Sequence, residues 1–126
     1  MNSQAQRLLI EAKILPEALP QNYTFNKVRE ILRGLETADQ GKLSEAVEAA
    51  RSLKILGPLS TLIFIKHHLE GEHEAEVDRI DEGEEGARLA ILVYPEGEVP
   101  IPAESLPAHI DVGVRLRYSP SERRYS

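Results

Sequence analysis

The chain has 126 residues, 41% of them hydrophobic and few aromatic, which fits one domain with an aliphatic core. It contains no cysteine, which excludes disulfides, thiolate zinc sites, cysteine-held iron–sulfur clusters and thiol catalysis, and suits a cytoplasmic protein. The net charge of −6 is local: Glu70 to Glu85 hold nine carboxylates against one cation, Arg79, so the remainder is slightly basic.

Residues 3–14 predict an amphipathic helix. Ser3 and Gln6 form a capping-box pattern, and Ala5, Leu8, Leu9 and Ala12 share one face. Pro16 stops it and opens a loop to Asn22. Nothing in MNSQAQRLLIEAK reads as a charged segment followed by an apolar run, so no signal peptide is expected. Thr24 is placed to cap a second helix over about 25–36, with Phe25, Val28, Ile31, Leu32 and Leu35 as its stripe. Thr37 to Gly41 is a turn. A third helix follows over 42–54, where Leu43, Ala46, Val47, Ala50 and Leu53 line one side. The second and third helices predict an antiparallel hairpin. A helix-turn-helix reader of DNA has the same outline, but Lys42, Arg51 and Lys54 are offset by Glu45 and Glu48.

Gly57-Pro58 breaks the pattern. The segment LSTLIFIKHHL carries opposed signals. Pro58 at a first helical position and Gly71 beyond the end suit a helix. The short, partly β-branched run Thr61-Leu62-Ile63-Phe64-Ile65 suits a strand, and the balance favours the strand because more strands follow. Ala75 to Asp81 and Ala87 to Tyr94 predict a hairpin around the glycines at 83 and 86. Val99 and Ile101, set between prolines, predict a short edge strand or an extended surface segment. Ile110 to Tyr118 alternates and predicts a last strand with Arg115 and Arg117 on its outer side. The polar tail 119–126 reads as mobile. The longest apolar run, Leu62 to Ile65, is far short of the ~20 residues of a membrane helix, so no membrane association is expected.

The fold expectation is α+β in a single domain, 1–126. Two or three N-terminal helices (about 3–56) pack on a small, mostly antiparallel sheet of three or four strands (about 60–118).

Three functional readings compete. His68, Glu70 and His73 are chemically suited to a transition metal and would make the chain a metal-dependent enzyme, with His67, Glu72 and Glu74 nearby, but the spacing is not the H-E-x-x-H pattern that puts two imidazoles on one helical face. In a strand, His67 and His68 would point to opposite sides. Arg115, Arg117, Arg123 and Arg124 with Tyr118 and Tyr125 could hold a phosphate backbone and stack on a base. The same arginines could instead match the acidic residues Glu72, Glu74, Glu76 and Asp78, within the chain or in a second copy, and this pairing is the favoured reading. It predicts a non-enzymatic interaction module, a regulatory or assembly subunit with a protein partner or a homo-oligomer, and no cofactor. Nucleophilic elbows and phosphate-cradling glycine motifs are missing from the sequence, and nucleic acid is disfavoured as a partner.

Overall fold

The structure, a computed structural model, describes residues 4–15 and 27–126. The predicted caps Ser3 and Thr24, the stripe residue Phe25 and the loop from Pro16 lie outside the described residues. Helix α1 spans Gln4–Glu11 and buries Ala5 and Leu9. Helix α2, Lys27–Leu35, buries Val28, Ile31, Leu32 and Leu35, the remainder of its predicted stripe. Helix α3, Gln40–Leu53, begins before the predicted boundary because Asp39 caps it. The Asp39 carboxylate accepts from the amides of Gly41 at 2.8 Å and Lys42 at 3.2 Å, satisfying donors that a helix start leaves open.

The segment expected to be the first strand is helix α4, Pro58–Glu70. Pro58 occupies the first turn, where no amide donor is needed. The Thr61 hydroxyl folds back onto the Gly57 carbonyl at 2.7 Å. At the other end Gly71, at φ +119°, takes a conformation closed to most side chains and turns its amide onto the His67 and His68 carbonyls. Thr61 through Ile65 are all buried, because α2 and α3 pack on one side of α4 and the sheet on the other. A helix wrapped on every side shows no polar stripe, which is why its apolar run imitates a buried strand.

A five-stranded antiparallel sheet follows, so with four helices among the described residues the α+β class holds and both element counts exceed the expectation. Its strands are β1 (His73–Glu82), β2 (Arg88–Tyr94), β3 (Gly97–Pro102), β4 (Arg115–Ser119) and β5 (Arg124–Tyr125), in the order β3-β2-β1-β4-β5. The predicted hairpin is β1–β2, and the proline-flanked segment is β3. The last long strand is shorter than expected. Residues 110–114 form a loop that leaves Val112 exposed, and Gly113 and Val114 bond the backbone of Val77. Val77 begins an irregularity in the β1–β2 register that ends at Arg79.

Ala75, Val77, Ala90, Leu92, Tyr94, Val99, Ile101, Leu116 and Tyr118 alternate onto the helix-facing side and join the core with Leu62, Ile63, Phe64 and Ile65. The tail is not a loose polar end. Tyr118 pairs with Tyr125, Arg117 and Ser126 exchange both backbone bonds at 2.9 and 2.8 Å, and the Tyr125 side chain is 2% exposed. The opposite edge of the sheet is closed. Pro100 and Pro102 lack amide donors, while the Pro100 and Glu98 carbonyls accept from the Leu56 amide and the Ser60 hydroxyl. Among the described residues, no helix is long and apolar enough to cross a membrane.

Candidate functional site

The ligand-dense stretch after Ile65 is split by the backbone into an inward set and an outward set. The end of α4 and the start of β1 meet at Gly71, so His67, His68 and His73 turn inward around Tyr94, Tyr118 and Tyr125. His73 stacks between strands and helix: its ring centroid lies 5.4 Å from His67, 5.3 Å from Tyr94 and 5.2 Å from Tyr118. Phe64 meets Tyr118 edge-on at 5.0 Å, a favoured aromatic geometry.

The hydrogen bonds running through His73 have a fixed direction. His73 Nδ1 lies 3.1 Å from the Gly71 carbonyl, which can only accept, so Nδ1 carries the proton. In the neutral ring Nε2 then accepts, and its partner at 2.7 Å is the Tyr94 hydroxyl, which must donate. Tyr94 therefore accepts from Tyr125, its other partner. Protons point one way: Tyr125 to Tyr94 to His73 to the Gly71 carbonyl. His67 Nε2 donates to the Glu96 carboxylate at 2.8 Å. His68 Nδ1 is bonded to the Tyr118 hydroxyl at 2.8 Å.

Burial sets the titration of these groups. It pushes the pKa values of His68 and His73 down from the usual histidine range, since a charged imidazole loses its hydration there; Arg123 adds to the effect at His68 and His67 at His73. Burial also pushes the Tyr94, Tyr118 and Tyr125 hydroxyls up. For Glu96 burial alone would raise the carboxyl, but hydrogen bonds from Lys66, at 2.5 Å, and from His67 outweigh it and hold the pKa near 2. Lys66 is raised by the same bond. Glu96, Lys66 and Glu70 stand at the mouth of a groove of about 440 Å³ between α2 and α4, floored by Ile31, Leu35 and Leu69.

The metal candidates do not converge. Both ring nitrogens of His73 are engaged, His68 Nδ1 faces Tyr118, and Glu70 faces Lys66 and His67 at 3.9 and 3.6 Å. Among the described residues, no group of three or more histidines and carboxylates is placed to share an ion. None of the buried side-chain nitrogens and oxygens there lacks a partner. Chemically the hydrogen bonds tie α4 to β4 through His68 and Tyr118 and to the β2–β3 turn through His67 and Glu96, and tie β1 to β2 and β2 to β5 through His73, Tyr94 and Tyr125.

The carboxylates take the other side of the sheet. Glu74 lies opposite Arg117 and Glu76 opposite Arg115 in the β1–β4 ladder. Glu74 reaches Arg115 at 3.4 Å and Arg117 at 3.8 Å, so the structure joins an acid and two arginines from the expected sets. These groups remain open to water, with Glu74, Arg115 and Arg117 side chains 45%, 69% and 66% exposed. Asp78 pairs with its neighbour Arg79, and Arg124 with Glu122. Glu72 and Glu76 are exposed, and Arg123 sits in the β4–β5 turn at φ +56°. Arg79 also grips Glu98 with two bonds, at 2.7 and 3.2 Å, which raises its pKa and lowers that of Glu98. Since β2 lies between β1 and β3, this bridge passes over β2, beside Ile91 and the exposed Val93.

Sequence reasoning missed Tyr94, Tyr118, Tyr125 and Glu96 as partners of the histidines. Tyr94 and Tyr118 were within reach, since each shares strand parity with a core leucine, Leu92 and Leu116. Glu96, in a tight turn, and Tyr125, in a polar tail, carried no local signal. Comparison with family models, curated proteins and solved structures finds no match for this chain.

Proposed function

We propose that this chain is a non-enzymatic interaction module, a regulatory or assembly subunit that self-associates through the outer face of β1 and β4. The observation that carries the reading is a row of acids, Glu74 and Glu76, beside a row of arginines, Arg117 and Arg115, on the sheet face turned away from the helices. Such a face is complementary to itself: a two-fold axis along the strands lays the basic row of one copy on the acidic row of the other. The existing contacts within the chain do not prevent this, because exposed ion pairs are worth about 0–1 kcal/mol each and exchange readily. The pairing of Arg115 and Arg117 with Glu74 weakens a phosphate-binding reading of the same arginines.

The blocked β3 edge supports a face rather than an edge as the contact. Salt screens exposed charges over about 10 Å at 0.1 M, so dimer mass by sedimentation should fall as salt rises from 0.05 to about 0.5 M. Arg115→Glu with Arg117→Glu should give a monomer, as should Glu74→Lys with Glu76→Lys. Mixing the two variants should restore a dimer. A monomeric wild type at low salt, or a dimer indifferent to both reversals, overturns the proposal.

A further inference from the structure

The last strand is held to the body by a single buried side chain. From Ser119 to Ser126 only Tyr125 is buried; the others are exposed or half-buried. Backbone pairing to β4 covers Arg117 to Ser119 against Arg124 to Ser126, a short ladder of the kind that does not persist by itself. Its anchor, the Tyr125 hydroxyl, donates into the one-way chain that ends on His73 Nε2. The direction of that chain depends on Nε2 being free to accept.

We propose that His73 is an acid-operated latch for the C-terminal strand: a proton on Nε2 releases Tyr125 and frees β5 from β4. With both ring nitrogens protonated, Nε2–H must donate to Tyr94, and Tyr94 can then donate only to Tyr125. The Tyr125 proton is left without an acceptor. If Tyr125 keeps donating instead, the Tyr94 proton is stranded. Either arrangement leaves a buried unpaired donor beside a buried charge. The exit that disturbs least is at the chain's end, because Tyr125 alone anchors it, whereas Tyr94 ends β2, pairs with Gly97 of β3 and belongs to the core.

The groups facing His73 set how the charge is received. From α4 these are His67, His68 and Glu70; from the β2–β3 turn, Glu96 through His67; from β2, β4 and β5, the hydroxyls of Tyr94, Tyr118 and Tyr125; from the β4–β5 turn, Arg123. The Gly71 carbonyl and Glu70 favour the imidazolium, while burial and His67 oppose it. Burial keeps the ring neutral at neutral pH, so the latch is closed there. Opening exposes the free edge of β4, the kind of edge that another strand can pair with.

The test uses the full chain in two measurements. Nitrogen-15 NMR at pH 7.5 should find His73 as the Nδ1–H tautomer, the form less common in free histidine. Amide exchange, corrected for intrinsic rates, should then show the Arg117 and Ser126 amides losing protection by up to about tenfold per pH unit on acidification, the slope for uptake of one proton. The Ala90 and Leu92 amides of β2, which open only with the whole fold, should stay the better protected at every pH. His73→Gln, which keeps an acceptor but cannot titrate, should remove the dependence. An Nε2–H tautomer, Arg117 and Ser126 amides as well protected as those of β2, or an unchanged pH response of those two amides in His73→Gln overturns the latch. Should that variant fail to fold, the tautomer and the β5-against-β2 comparison in the wild type decide.

Discussion

Tyr94→Phe and Tyr125→Phe each delete one buried hydroxyl oxygen from the same hydrogen-bond chain, yet they should not cost the same. Tyr94 is the middle of the chain. Without its hydroxyl, His73 Nε2 loses its donor and the Tyr125 hydroxyl loses its acceptor, so two buried groups are orphaned. At about 1–3 kcal/mol for each buried unsatisfied group, the cost is about 2–6 kcal/mol. Tyr125 is the chain's end. Its loss removes one hydrogen bond but leaves Tyr94 still donating to His73, so the cost is about 0.5–1.5 kcal/mol. The double variant tests direction itself: with Tyr94 already replaced, deleting the stranded Tyr125 hydroxyl should recover about 1–3 kcal/mol. Urea unfolding followed by circular dichroism at pH 7.5 measures all three against the wild type. Equal costs for the single variants, or a double variant whose loss is their sum, would refute the directed chain.

Three further outcomes follow from the same geometry. His68 and His73 have folded pKa values below the ordinary 6.5, so their contribution is complete above pH 6.5 and is lost as pH falls below it toward the folded values; stability should drop by up to about 1.4 kcal/mol per pH unit for each histidine, read from urea midpoints between pH 7.5 and 5.5, and a flat profile there would contradict the burial argument. Glu96, held at about 2 against an ordinary 4.5, acts in a separate window: its contribution is complete above pH 4.5 and fades below it, and Glu96→Gln should make that second decline shallower, leaving the share of Glu98, while the first remains. Gly71→Ala forces a side chain into φ +119°, a region nearly closed to it, and should cost about 1–3 kcal/mol by thermal unfolding; a change under about 0.5 kcal/mol would mean that the turn joining α4 to β1 relaxes freely.

Legibility in the sequence followed the physics of each element. Helices α2 and α3 could be read because each has one wet face, so apolar residues recur at helical spacing. Strands β1, β2 and β3 could be read because glycines and prolines punctuate them and their inward positions alternate. Helix α4 could not. Its run Thr61 to Ile65 is buried at every position, which erases periodicity, and its Ile63 and Ile65 carry strand preference that tertiary packing overrode. The tail misled for the opposite reason: seven of its eight residues are exposed or half-buried, and one tyrosine decides its place. The site divides the same way. Glu74 beside Arg115 and Arg117 was legible as charge complementarity, while Glu96 against His67 joins groups far apart in the chain, which spacing does not encode.

The error over α4 also explains why the histidines looked like ligands. Read as a strand, His67 and His68 diverge and must be solvated or shared with an ion. In a helix that ends at Gly71, His67 is instead carried back beside His73, and His68 faces β4. Imidazoles then meet tyrosines, whose hydroxyls satisfy ring nitrogens without a cation. The strand that follows has a period of two, so from His73 onward the carboxylates of Glu74 and Glu76 must face the other way. A single acidic, histidine-rich stretch thereby supplies two separate things: the internal histidine–tyrosine hydrogen bonds on the core side and a charged row on the outer side. Because β4 contributes Tyr118 to the first and Arg115 and Arg117 to the second, the ordering of that strand couples them. Loss of the inner network should weaken the outer rows, whereas charge reversals on the outer rows should leave the His73 tautomer unchanged.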